Sequence, residues 1–131
     1  MAKKLLGVLV DVYNEKAQAL EIEDELESFY KILDCSCIDI VRRRIGGRYK
    51  NAFEIVCDDE GLFREPHKIS AISNLGVAQL VGNIFITGTV DNDGNLTSLT
   101  EYDVSYVLSK VKKISTQKFI NGYPILTQCE Y

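Results

Sequence analysis

The residue best suited to acid–base work in this chain is its one histidine, His67. It follows Pro66 in a loop-like segment, with no Gly-x-Ser-x-Gly elbow and no cysteine placed to act as its partner, so nucleophilic catalysis has no triad to run on. No phosphate-binding Gly-x-x-x-x-Gly-Lys-Ser/Thr loop and no Gly-x-Gly-x-x-Gly turn occurs. The four cysteines, Cys35, Cys37, Cys57 and Cys129, lack the spacing of a zinc knuckle and read as buried reduced thiols. Asp58-Asp59-Glu60 could hold a divalent cation through oxygen ligands, as in a metal-dependent cyclic-nucleotide hydrolase. Three adjacent carboxylates without supporting ligands read better as an acidic loop tip. Asp91-Asn92-Asp93-Gly94-Asn95 opens like an EF-hand loop, yet its twelfth position is Tyr102, where a bidentate glutamate belongs. Dense turn chemistry is the sounder reading. We therefore expect no catalytic residue, no metal and no cofactor.

A binding constellation remains. Phe85 lies in an apolar strand-like run, and Asn95 closes the turn that follows it. Five cations (Arg42, Arg43, Arg44, Arg48 and Lys50) stand within nine positions. A ring can stack on a base, an amide can hydrogen-bond a base edge or ribose, and guanidinium groups can hold phosphate. The same residues also have plainer uses: a strand phenylalanine is usually core, a turn asparagine usually serves the backbone, and a charged hairpin is usually solvated. Arg42, Arg44 and Arg48 are the preferred phosphate-facing cations. Arg42 and Arg44 share one strand face by the period of two, and Arg43 points the other way.

The elements that must position these groups follow from hydrophobic periodicity. Residues 4–13 read as a strand, Asn14-Glu15 as a turn, and 18–22 as the returning strand. Leu26, Phe29, Tyr30 and Leu33 share the i, i+3, i+4, i+7 face of a short helix. Residues 37–45 and 48–57 read as a hairpin about Gly46-Gly47. Residues 58–66 form a loop bent at Gly61, and 67–76 an irregular segment. Residues 78–89 make the strongest strand, interrupted at Gly82 by a bulge or a close backbone approach. Thr100 opens a second helix with Asp103 in its capping position, its buried face lined by Val104, Val107, Leu108 and Val111, with Lys110, Lys112 and Lys113 at its end. The last residues, from Ser115, add one strand or clasp a neighbouring protomer. The sum is a single α+β domain of 131 residues, a curved antiparallel sheet with two short helices.

The charge balance narrows the partners. Nineteen acidic against fifteen basic residues leave a net charge of −4, which argues against DNA and suits a compact anion at the concentrated basic segment. The acidic stretch at Glu21, Glu23, Asp24, Glu25 and Glu27 could instead dock on a host protein. With no long apolar stretch and no signal-peptide pattern, a cytoplasmic protein with no membrane association is expected.

Five segments are familiar in this order and spacing: Phe29-Tyr30-Lys31-Ile32-Leu33-Asp34-Cys35, Ile38-Asp39-Ile40-Val41, Cys57-Asp58-Asp59-Glu60-Gly61-Leu62-Phe63, Leu80-Val81-Gly82-Asn83-Ile84-Phe85-Ile86 and Asp93-Gly94-Asn95-Leu96-Thr97-Ser98-Leu99. Together, over roughly residues 4 to 112, they resemble the first-type Thoeris anti-defence proteins of phages. Thoeris is a bacterial defence in which a TIR enzyme converts NAD into a cyclic ADP-ribose isomer that activates a killing effector. The resemblance implies a non-enzymatic protein of the host-cell cytoplasm that sequesters this isomer without degrading it, in immune evasion. It places the pocket aromatic at Phe85 and the pocket asparagine at Asn95. It also implies homo-oligomers built from dimers, a hexamer among them, with pockets near protomer boundaries. Some members hold cyclic oligonucleotides at a second basic site, for which Lys112 and Lys113 are the candidates here.

Overall fold

A computed structural model of the chain describes residues 3–46, 52–65, 68–116 and 119–130, apart from the side chains of 114–122. In chain order the elements are β1 (Lys4–Asp11), β2 (Lys16–Glu23), α1 (Leu26–Leu33), β3 (Ile38–Ile45), β4 (Ala52–Asp58), a 3-10 turn (Gly61–Phe63), β5 (Ile69–Ile72), β6 (Ala78–Val81), β7 (Ile84–Thr87), α2 (Glu101–Ser109), β8 (Val111–Thr116), β9 (Phe119–Leu126) and β10 (Cys129–Glu130). The fold is α+β with two helices, as expected, but its strands form two sheets rather than one. The larger runs β10-β3-β4-β7-β1-β2, antiparallel throughout, and the smaller runs β6-β5-β9-β8 with one parallel pair, β5 with β9.

The apolar run in β1 has a direct cause. Val8, Val10 and Val12 face one cluster, with Ile55, Ile84, Ile86, Val107, Tyr123 and Leu126. Leu5 and Leu9 face the other, with Phe29, Leu33, Val56 and Phe85. A strand covered on both faces reads as continuously hydrophobic, whereas alternation marks a half-buried one. The larger sheet is thus sandwiched, with α1 packing on one face and the smaller sheet and α2 on the other. Thr100 caps α2 through its hydroxyl, which accepts from the Asp103 amide at 3.1 Å.

Three departures from the expected elements share a physical theme. The run 78–89 is not one strand: Gly82 has φ +87, a left-handed conformation that cannot continue an extended strand, and the chain leaves β6 in one sheet to enter β7 in the other. The irregular segment 67–76 contains β5, only four residues long. The C-terminal residues make two strands where one was expected. They supply β9, between β5 and β8, and β10, whose Cys129 and Glu130 pair with Ile45 and Arg44 of β3. Lys112 and Lys113 consequently sit on β8, opposite Ile125 and Pro124, rather than at the end of α2. Among the described residues no helix is long and apolar enough to cross a membrane.

Candidate functional site

A cleft of about 580 Å³ opens where the end of α1 meets the loop after β4. Tyr30, Lys31 and Asp34 come from α1 and its cap, Cys35 and Ser36 from the following turn, and Asp58, Glu60, Phe63 and Arg64 from the opposite wall. The helix stops because Asp34 takes φ +52, a left-handed cap that short polar side chains tolerate, and the Cys35 amide then donates to the Tyr30 carbonyl at 3.0 Å. The opposite wall depends on Gly61. A Cβ there would lie 2.3 Å from the Val81 carbonyl oxygen, so only glycine lets the 3-10 turn press against β6. That turn throws Phe63 outward, 81% exposed, and brings Arg64 back over the sheet.

Arg64 is held from several sides. Its Nε donates to Asp58 Oδ2 at 2.8 Å, and the Asp58 side chain is only 2% exposed. Asp58 Oδ1 accepts from the Glu60 amide at 2.9 Å. The guanidinium carbon lies 5.4 Å from the centre of the Tyr13 ring, a cation–π distance. Asp34 Oδ2 stands 3.8 Å from Nη1. The hydrogen bond to Asp58 raises the arginine's pKa further above its usual range. The result is a fixed cation beside an exposed ring, with Asp34 and Glu60 as hydrogen-bond acceptors nearby.

The structure places the expected residues differently. Phe85 is wholly buried (0% exposed), its ring tilted 55° against Phe29 at 6.3 Å and enclosed by Leu5, Leu9, Leu33, Val56 and Leu96. It offers no face to a ligand here. The reason is its position in the central strand β7 beneath α1. Asn95 is exposed, and its backbone serves the turn: its amide donates to Asp91 Oδ1 at 3.0 Å and its carbonyl accepts from the Asp91 amide at 2.9 Å. The residue that reaches the Phe85 cluster is its neighbour, Leu96. Neither Phe85 nor Asn95 lines the large cleft or the smaller ones of about 320 and 170 Å³.

Arg42 and Arg44 do share a face, exposed, with Arg43 on the other. Strand register sets them on the same face as Phe85, through the row Ile40–Val56–Phe85, but Arg42 is engaged by the buried carboxylate of Glu54 at 2.6 Å. Arg48 and His67 lie outside the described residues. Lys112 and Lys113 are exposed on β8. Asp58-Asp59-Glu60 is not a uniform loop tip: Asp58 is buried and paired with Arg64, and only Asp59 and Glu60 are exposed. Among the described residues no three His, Cys, Asp or Glu side chains converge as a metal-binding group.

The thiols also divide. Cys57 and Cys129 are buried, and burial pushes them up to about 11 and about 12; Cys35 is half-buried and pushed up to about 11; Cys37 is exposed, with the Glu60 carboxylate raising it. Iodoacetamide at pH 8 is expected to label Cys37 first, leaving Cys57 and Cys129 unmodified until denaturant is added, because the thiolate is the nucleophile. Peptide mass spectrometry reads the order, and early labelling of Cys129 would contradict the packing of β10.

Sequence reasoning missed Phe63 and Arg64 because both fall in a loop outside any periodic element. The available signal was local: a large aromatic and an arginine directly after a glycine-bent acidic turn, Gly61-Leu62-Phe63-Arg64. Comparison with curated proteins and with solved structures finds no match. A family model described as a domain of unknown function matches residues 5–112, which take in α1, both walls of the cleft and α2. The chain belongs to that family, DUF3846.

Proposed function

We propose that this chain captures a small signalling nucleotide, a cyclic ADP-ribose isomer made by a TIR enzyme, and holds it intact, so acting as a phage anti-defence protein. The observation that carries the reading is Arg64, oriented by a buried carboxylate on the wall of a cleft of about 580 Å³, with the exposed Phe63 ring next to it in sequence. An arginine whose geometry is already fixed spends little conformational freedom in meeting phosphate. A nucleotide also presents ribose hydroxyls and, on adenine, an amino group, and the carboxylates of Asp34 and Glu60 are acceptors suited to such donors. A long polyanion would meet those same carboxylates repeatedly, which favours a compact ligand with few phosphates. The identity of the nucleotide comes from the resemblance to the Thoeris inhibitors, with the stacking role moved from Phe85 to Phe63.

Sequestering a micromolar signal needs a roughly nanomolar dissociation constant, about −12 kcal/mol. Stacking on one ring supplies on the order of 1–3 kcal/mol. The rest must come from phosphate contacts and enclosure, which a second copy closing over the cleft would provide. The test is to produce the protein alongside an active TIR enzyme, purify it, denature it by heat and analyse the supernatant by mass spectrometry. Intact cyclic isomer, near one per chain, is expected. Linear ADP-ribose would mean turnover instead of capture, and an empty supernatant would remove the ligand assignment.

A further inference from the structure

We propose that Asp34 is a built-in competitor for the anion seat on Arg64, and that Asp58 is the positioning residue that keeps the seat in place; this rests on reading the cleft as an anion-binding site. Two carboxylates approach one guanidinium from opposite environments. Asp58 is 2% exposed and is fixed twice, by Arg64 Nε at 2.8 Å and by the Glu60 amide at 2.9 Å. It occupies the Nε edge and leaves the Nη groups for other partners. Asp34 is 91% exposed and stands 3.8 Å from Nη1, beyond hydrogen-bond distance.

The two contacts therefore differ in strength and in consequence. A buried, hydrogen-bonded partner orients an arginine, while an exposed carboxylate at that separation shifts an equilibrium by at most about five-fold. Phosphate meets guanidinium through short, paired, charge-assisted hydrogen bonds and outcompetes such a loose partner. Once phosphate is seated, Asp34 becomes a like charge beside it. The aspartate thus partly neutralises the empty seat and opposes the filled one, weighing against weakly held anions. Its backbone permits a clean test: Asp34 sits at φ +52, where asparagine is equally at ease, so Asp34→Asn removes the charge and leaves the helix cap.

The experiment is calorimetric titration of the full chain with inorganic pyrophosphate, repeated with the nucleotide recovered from TIR co-expression. Asp34→Asn is expected to bind pyrophosphate about two- to five-fold tighter than the parent. Asp58→Asn is expected to bind at least about ten-fold weaker, because its new amide group faces Arg64 Nε in place of a carboxylate oxygen. Should Asp58→Asn fail to fold by circular dichroism, Arg64→Lys takes its place: it keeps the charge, loses the Nε contact and is expected to weaken binding comparably. Equal or weaker binding by Asp34→Asn overturns the competitor. Unchanged binding by the Asp58 or Arg64 variant, or no pyrophosphate binding by any form, overturns the seat. If the pyrophosphate ranking holds while no nucleotide is retained, the capture reading fails and the competitor stands; a retained nucleotide with a flat ranking gives the reverse.

Discussion

Replacing Phe85 by alanine is expected to cost about 3–5 kcal/mol of folding stability, as for other large rings deleted from cores. In a chain of 131 residues that lowers the thermal midpoint by roughly 10–20 °C. The ring is wholly buried, packed on Phe29 and covered by Leu96. It also lies across the backbone of the neighbouring strand: a Cβ added at Gly7 would come within 2.5 Å of the ring carbon Cζ and of the Ile86 carbonyl oxygen. The strand has given up a side chain to admit the ring, so alanine leaves a cavity that neither Gly7 nor the sheet can fill. Urea and thermal unfolding measure the loss. An unchanged midpoint would place the ring outside the core and restore it as a candidate for stacking. The practical consequence concerns binding assays: a Phe85 variant that loses ligand reports on folding first, and must be compared at matched fractions folded.

Much of the fold was legible because local chemistry and packing agree. Of the α1 face readable from spacing, Leu26, Phe29, Tyr30 and Leu33, only Phe29 and Leu33 are buried; Tyr30 is half-buried on the cleft wall and Leu26 is exposed. The Thr100 cap was readable three residues ahead of its partner, Asp103. The division into two sheets was not. Gly82 could signal a bulge, a close approach or a break, and its backbone angle decides among them only once the neighbours of β6 and β7 are known. The tail was illegible for the same reason: β9 lies between β5 and β8, so its place depends on a four-residue strand too short to announce itself.

The site divides along the same line. The period of two correctly assigned Arg42 and Arg44 to one face, but periodicity carries no information about the partner across the ladder. Glu54, twelve residues later in sequence, engages Arg42 because the hairpin register sets them opposite. Phe85 read as a core residue from its strand and as a pocket residue only from the resemblance, and its position in β7, flanked by β4 and β1, agrees with the core. Arg64 and Phe63 acquire meaning only from what the 3-10 turn places around them. A buried partner for Arg64 could not be read from Asp58 alone, since the adjacent Asp59 and Glu60 are exposed and identical in charge.

Phe63→Ala separates binding from folding in a way that no Phe85 variant can. The ring is 81% exposed, so its removal is expected to change stability by no more than about 0.5 kcal/mol, as for surface positions generally. If a base stacks on it, the loss of on the order of 1–3 kcal/mol weakens nucleotide binding by roughly 5- to 150-fold. Phe63→Trp is expected to preserve or improve affinity, because a larger π-face stacks at least as well, whereas Phe63→Leu keeps apolar bulk and loses the π-face. Titration with the nucleotide released from TIR co-expression, read beside thermal unfolding of each variant, gives both quantities. An order Trp ≥ Phe > Leu ≥ Ala at constant stability is the signature of stacking. Equal affinity for all four would mean that the exposed ring at the mouth of the cleft does not meet the base, and the ligand's contact with this wall would then rest on Arg64 and Glu60.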